Sequence, residues 1–457
     1  MGRLRTGLIS AGERAHLVGL DGRGMSGVAQ LLHQRGFAVS GSIPTEGATS
    51  EYLRRLGVRV HAGHAPLPLP RSARLVVYGP DVPLEHPERL SARKLGVEQA
   101  SCPEILGRLV RSGFGIAAVG GRRAGVTAAM LGWTLAHAGL DPTVCLGSHA
   151  PQLGGPGRQG SGPHVVVEAT DHASIAEVAG ADVVVILDDS PTIGDDAMLR
   201  RWAEAAPPGG YVLAEAGEAG PRGPGTWPGV AAEVERFSLE PGHAWWGADL
   251  KQDRGRYRFR AFHRGRFAAE IRLGVPGRHH VLAALATLAV CERVNLSTRA
   301  IREALEDFGG VSRGFESRGS YRGVTLVDDE SRGHQGVGAA LTLARQVYGR
   351  RRLCVAYRPD PVGMGECPGP SPGDFEAADR VLIVDEEGAS DGSRADGLES
   401  GLRAAGTEAW RAAGIVEAIG ELDRHLEPGD VLVTLGAGGV GTIADAFLRR
   451  VSRDRHG

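Results

Sequence analysis

Lysine is nearly missing from this chain. Its 457 residues include 52 lysines and arginines together, of which only Lys94 and Lys251 are lysines. Chemistry that needs an ammonium group therefore has two candidates, and neither sits in a glycine loop after a strand. Aromatic residues are only 5% of the chain. Five cysteines, Cys102, Cys145, Cys291, Cys354 and Cys367, are scattered without a C-x-x-C pair. That spacing suits reduced thiols rather than a zinc site or a disulfide framework. No apolar run reaches the roughly 20 residues of a membrane span. Met1–Ala11 also lacks the apolar stretch of a signal peptide, so the expectation is a cytoplasmic chain without a membrane partner. Acidic and basic residues nearly cancel, leaving a net charge of −2. Binding to nucleic acid through bulk electrostatics is excluded on that balance.

Hydrophobic residues at 42% and a length of 457 allow about three packed domains. Glycine is abundant at 69 residues, which predicts many tight turns. Short apolar runs alternate with helical patterns from the start. Ala15–Leu20 reads as a strand, Met25–Gln34 as a helix, Phe37–Ser40 as a strand and Glu51–Leu56 as a helix. Arg74–Tyr78 and Pro87–Leu95 continue as strand and helix. A second series opens at Gly115–Val119, with a helix expected over Thr127–Ala138 and strands at Val165–Glu168 and Val183–Leu187. A hairpin around His263–Arg266 and helices at His280–Arg293 and Thr298–Phe308 follow. The third series has strands at Val324–Val327, Arg352–Ala356, Arg380–Val384 and Val431–Leu435. Such β-α-β alternation predicts parallel sheets with crossover helices. We expect three α/β units, at residues 1–112, 113–312 and 313–457.

The first glycine loop lies between a strand and a helix, as Gly22-x-Gly24-x-x-Gly27. Glycines allow close approach of the backbone to a phosphate, and the helix N-terminus supplies N–H groups and a positive dipole end. A nicotinamide cofactor would require an acidic residue at the end of the second strand. Ser42-Ile43 stands there instead, which weakens an oxidoreductase reading.

The residues around this loop resemble the N-terminal domain of the Mur ligases, and within that family the UDP-N-acetylmuramate–L-alanine ligases. The family pattern G-x-G-G-x-G-M-S corresponds to Gly19-Leu20-Asp21-Gly22-Arg23-Gly24-Met25-Ser26. Val39-Ser40-Gly41-Ser42 matches its "VSGS", and Val82-Pro83 with His86-Pro87-Glu88 matches "IP…NPE". The similarity runs on through Gly277–Leu285, Phe308–Arg313, Asp328-Asp329 and Gly429–Gly438. It implies an α/β, three-domain Mur ligase architecture: a Rossmann-like N-terminal domain, a central P-loop-type domain and a Rossmann-like C-terminal domain. It also implies a UDP-sugar ligand, a UDP-N-acetylmuramate-like molecule, held by Gly22, Gly24, Met25, Ser26 and Ser42. ATP and Mg2+ would be cofactors, and cell-wall synthesis proteins the partners.

Family chemistry activates a carboxylate with ATP, which requires a loop of the form G-T-x-G-K-T-T. Here the corresponding residues are Gly120-Gly121-Arg122-Arg123-Ala124-Gly125-Val126. Ala124 stands at the lysine and Gly125 at the Mg2+-binding hydroxyl, while Thr127 falls two places late. Arg122 and Arg123 read either as solvated charges on a turn or as a repurposed phosphate site. Glu168 matches the family's metal-binding glutamate, the later metal histidine is absent, and Asp188 and Asp189 are alternative oxygen ligands. On the nucleotide side the resemblance points to His280, Arg313 and Asp329. His61 and His64, Trp245-Trp246 and the loop Gly436–Gly441 are weaker candidates with ordinary structural explanations.

Two readings stay open at this point. One is an ATP-dependent amide ligase of peptidoglycan-precursor synthesis with a rebuilt nucleotide site. The other is a pseudo-ligase, acting as a UDP-sugar-binding, scaffold or regulatory protein.

Overall fold

The structure is a computed structural model that describes residues 13–454, apart from 64–68, 71, 171–178, 188–195, 217–226, 228, 332, 360–368, 386–392 and 437–438. His64, Asp188, Asp189 and the Met1–Ala11 segment therefore lie outside the described residues. The chain forms two compact units. One comprises Met1–Gln252 with Arg256–Gly310, and the other Val311–Gly457 with the short Asp253–Gly255 stretch.

The first unit contains two sheets. The earlier one is built from β1 (Arg14–Val18), β2 (Ala38–Ile43), β3 (Arg59–Ala62), β4 (Ala73–Tyr78) and β5 (Glu98–Ser101), in the order β3-β2-β1-β4-β5. All its pairings are parallel. The connecting helices are α1 (Met25–Gln34), α2 (Ala48–Arg55), α3 (Pro87–Leu95) and α4 (Cys102–Val110). The chain runs outward from β1 on one side and then crosses to β4 on the other. That reversal places a crevice at the carboxyl end of β1, where open α/β sheets bind ligands.

The larger sheet follows with β6 (Phe114–Gly120), α5 (Arg122–His137), β7 (Thr143–Ala150), β8 (Gly155–Arg158), β9 (His164–Thr170) and β10 (Val183–Ile186). It continues through β11 (Tyr211–Glu215), β12 (Glu233–Ser238), β13 (Trp245–Asp253), β14 (Arg256–His263) and β15 (Arg266–Pro276). Besides α5, the described helices α6 (Asp196–Glu204), α7 (His279–Arg293) and α8 (Thr298–Asp307) belong to it. Its central strand β6 lies between β10 and β9, parallel to both. The β14–β15 hairpin is present as expected.

The two sheets share one core. Leu17, Met25, Val28 and Leu106 belong to the same buried cluster as Val119, Val167 and Trp202. At the seam, α1 lies almost backbone to backbone against β7 and β8. A Cβ on Gly27 would stand 2.8 Å from the Leu146 carbonyl oxygen, and one on Gly157 would stand 2.4 Å from the Gly27 carbonyl oxygen. Gln30, buried in the same seam, donates to the Gly154 carbonyl and accepts from the Gly157 N–H and the Tyr52 hydroxyl.

In the second unit, β16 (Glu316–Tyr321), β17 (Val324–Asp329), β18 (Leu353–Arg358), β19 (Arg380–Val384), β20 (Glu408–Ala412) and β21 (Val431–Gly436) form a sheet ordered β16-β17-β21-β18-β19-β20. Only its first pair is antiparallel. Buried clusters cover both faces, as a mainly parallel sheet requires.

One expected boundary is corrected. The helix after β6 begins at Arg122 rather than Thr127. Gly121 is its N-cap and directly follows the last strand residue, Gly120. Arginine and alanine are good helix formers, so the segment expected as a loop becomes the helix's first turn.

Candidate functional site

The first loop folds as the glycines predict. Gly24 has φ +78° and caps α1, with no side-chain cap. The N–H groups of Gly19 and Leu20 both bond to the Ser42 carbonyl, which ties the loop to the end of β2. The Ser42 hydroxyl donates to Glu88 at 2.7 Å, and Glu88 also meets His16 at 3.2 Å. His16 and Glu88 are both buried, so a polar network underlies the loop. Gly22 and Ser26 are half-buried at its rim. Met25 is wholly buried, so its side chain serves the core and only its backbone lines the loop. Ile43 is buried as well, filling the place where a nicotinamide site would carry its acid.

Acidic groups also border this loop. Asp21 and Asp81 sit on the loops that follow the adjacent strands β1 and β4. These loops touch, since a Cβ on Gly22 would stand 3.9 Å from the Gly79 Cα. Burial, reinforced by the Asp81 charge, pushes the Asp21 carboxyl above its ordinary value.

Groups from three neighbouring strands lie against the second loop. Ala124 is completely buried. Glu168, on β9, is 6% exposed, and its Oε2 accepts the Gly147 N–H at 2.7 Å. A Cβ on Gly125 would stand 3.0 Å from Cδ and from both carboxylate oxygens of Glu168. On the other side, Arg123 reaches Glu215 at the end of β11, with N–H···O at 2.7 Å. Sheet order puts β10 between β6 and β11, so this pair spans the end of β10. Arg123 is thus a mostly buried ion-pair partner, which corrects its reading as a solvated turn charge. The Thr127 hydroxyl donates to the Arg123 carbonyl inside the helix and is fully buried.

Among the described residues, the loop does not supply the lysine and hydroxyl that a magnesium triphosphate would use: Gly120–Val126 contains neither, the helix starts directly after Gly121, and a buried carboxylate lies against Gly125. Phosphate beside that carboxylate is electrostatically unfavourable unless a cation lies between them. Among the described residues, no group of three or more His, Cys, Asp or Glu is placed to hold a metal ion.

The remaining nucleotide-side candidates have structural partners. His280 is buried, with its Nδ1 2.6 Å from the Pro276 carbonyl oxygen. Burial depresses its pKa to about 4, so the ring is neutral and its Nδ1–H donates to that carbonyl. In the second unit, Asp329 accepts the Phe315 and Ser331 N–H groups. Arg313 has φ +59° and bonds to Asp328 and to the Gly436 carbonyl. No helix among the described residues is long and apolar enough to cross a membrane.

Sequence reasoning missed Gly147 and Glu215. A lone glycine within a strand pattern marks close approach, and that signal was available for Gly147. Glu215 had no local signal, because its partner lies 92 residues away.

Comparison with known proteins bears on this geometry. Residues 14–113 match the family model described as Mur ligase family, catalytic domain. A UDP-N-acetylmuramate–L-alanine ligase of Nitratidesulfovibrio vulgaris is 31% identical over 447 residues, covering 95% of this chain and 98% of the relative. The chain belongs to the Mur ligase family. A Sulfurihydrogenibium relative of the same name is 28% identical, covering 96% of this chain and 98% of its own length. The crystal structure of the UDP-N-acetylmuramate–alanine ligase of Thermotoga maritima superposes with a TM-score of 0.81 at 21% identity, covering 96% of this chain and 99% of that one. The three-domain α/β Mur ligase fold is therefore established for this member of the family.

Proposed function

We propose that this Mur ligase family protein keeps the UDP-sugar end of the muramate–alanine ligase site and has lost the ATP end. Its ligand is UDP-N-acetylmuramate or a close relative, bound at Gly22, Gly24, Ser26 and Ser42. Its role is that of a cytoplasmic UDP-sugar-binding scaffold or regulatory partner in cell-wall synthesis. We assign the binding domain to residues 1–112, the former ATPase domain to 113–312 and the C-terminal domain to 313–457. The observation that carries the reading is the Glu168 carboxylate packed against Gly125, beside a fully buried Ala124. The lysine position carries an uncharged side chain, and Arg123 is engaged by Glu215.

A second reading, an active ATP-dependent ligase, is favoured by the near-complete coverage of relatives named as ligases. Phosphate release with UDP-N-acetylmuramate, Mg-ATP and a panel of amino acids separates the two. The proposal expects no release, and no calorimetric signal from millimolar Mg-ATP. Turnover with any amino acid, or micromolar ATP affinity, refutes it. The proposal also expects UDP-N-acetylmuramate to raise the melting temperature, and Gly24→Asp to abolish the rise.

A further inference from the structure

A chain of polar side chains underlies the first loop. β1 and β2 run in register, with His16 beside Ser40 and Val18 beside Ser42. His16 Nδ1 lies 2.9 Å from the Ser40 hydroxyl, and its Nε2 lies 3.2 Å from Glu88 Oε2. The same carboxylate oxygen accepts the Ser42 hydroxyl at 2.7 Å. Glu88 comes from the first turn of α3 and is only 1% exposed. Ser42 is half-buried, next to last in β2. Its carbonyl oxygen accepts the N–H groups of Gly19 and Leu20, so the loop rests directly on it.

A serine hydroxyl has one proton and two lone pairs. At Ser42 the proton is committed to a buried carboxylate, in a short bond of the strong, charge-assisted kind. Ser42 therefore offers a ligand lone pairs only. A phosphate oxygen gains nothing from it, whereas a group that brings its own hydrogen does. In dinucleotide sites an acidic side chain at the end of the second strand accepts a ribose hydroxyl. Here the buried Ile43 leaves that strand end without an acid of its own. The carboxylate arrives from α3 instead and acts through a serine. We infer that Ser42 is a specificity-determining residue that accepts a hydrogen bond from a ribose hydroxyl of the nucleotide, and that Glu88 positions it. The inference rests on the UDP-sugar reading above.

Calorimetry with UDP-N-acetylmuramate and its 2′-deoxyuridine and 3′-deoxyuridine analogues tests this. The wild type should bind one of the two analogues at least about tenfold more weakly than the parent, about 1.4 kcal/mol. Ser42→Ala should erase that gap, weakening the parent about tenfold and that analogue less than about threefold. Ser42→Thr, which keeps the hydroxyl, should retain most of it. Glu88→Ala should narrow the gap in the wild-type background and leave it unchanged in a Ser42→Ala background. Because the readout is a ratio of affinities, a general loss of stability does not move it. Equal losses for all three ligands in Ser42→Ala would put Ser42 on the diphosphate or the base and overturn the inference. A gap that survives Ser42→Ala, or a wild type that binds all three alike, would overturn it too. A gap left whole by Glu88→Ala would overturn the positioning role. Wild-type protein that binds none of the three overturns the UDP-sugar reading itself.

Discussion

Gly125→Ala tests whether Glu168 truly occupies the second loop. The substitution lies in α5, where replacing glycine with alanine ordinarily adds about 1 kcal/mol of stability. Here the new methyl would stand 3.0 Å from three atoms of the Glu168 carboxyl group, and the carboxylate would have to withdraw. Withdrawal strains its 2.7 Å bond to the Gly147 N–H. A hydrogen bond to a charged group contributes about 1.5–3 kcal/mol, so losing it outweighs the helix gain. The net expectation is a destabilisation of about 0.5–2 kcal/mol. In a Glu168→Ala background the obstacle is gone, and the same Gly125→Ala change should stabilise by up to about 1 kcal/mol. The sign therefore reverses between backgrounds. Urea denaturation followed by tryptophan fluorescence can read this, since Trp133 lies in the same helix. Stabilisation by Gly125→Ala in both backgrounds would show that the carboxylate is elsewhere, and would remove the main support for a closed ATP site.

Ala124→Lys should not restore Mg-ATP binding and should destabilise the protein by about 2–4 kcal/mol, because the side chain at that position is fully buried; saturable ATP binding by this variant in calorimetry would contradict the burial argument. His280 gives a pH signature. Its folded pKa of about 4 lies below the ordinary 6.5, so the unfolded chain takes up its proton first. Its contribution is full above pH 6.5 and is lost as pH falls toward 4, by up to about 1.4 kcal/mol per pH unit. Comparing the pH-dependent stability of wild type and His280→Asn should show the steeper acid loss in wild type, and parallel curves would refute it. Asp21 acts on binding with a direction of its own. Its raised pKa means that acidification discharges it early, so UDP-sugar affinity should increase as pH falls through that range. Asp21→Asn should flatten the pH profile, and an unchanged profile in calorimetry would exclude Asp21 from the loop's electrostatics.

Much of the fold could be read from hydrophobic patterning. Met25–Gln34, Pro87–Leu95 and Arg380–Val384 have the expected bounds, because each has a clear period and an abrupt polar or glycine limit. The helix after β6 starts five residues earlier than expected, since a resemblance to loop sequences says nothing of helix propensity. The first loop was legible in its glycines: the positive φ at Gly24 is a local requirement, whereas the close contact at Gly27 is with β7 and β8 and had no local signal. Arg123 was not, since its partner Glu215 comes from a strand two places away in the sheet. His280 and Met25 were singled out by motif position, and a motif does not distinguish a ligand contact from a core side chain.

The two loops differ in what holds them, which explains how one could persist while the other changed. The first is built into the protein's stability: Gly27 lies in the seam where α1 meets β7 and β8, and bulkier residues in that seam would separate two sheets that share a core. A Cβ on Gly155, for instance, would stand on the Tyr52 hydroxyl, at a φ of +133° that itself disfavours side chains. The second loop's phosphate-handling groups carry no comparable packing duty. On the reading proposed above, with neither lysine nor hydroxyl in the loop, Arg123 pairs with Glu215 and Glu168 accepts the Gly147 N–H. Those new pairs stabilise the closed arrangement, so reopening the loop requires breaking an ion pair and a charge-assisted hydrogen bond together. For that reason single restorations such as Ala124→Lys fail on this account, and a return of ATP binding needs Arg123, Ala124 and Gly125 replaced as a group.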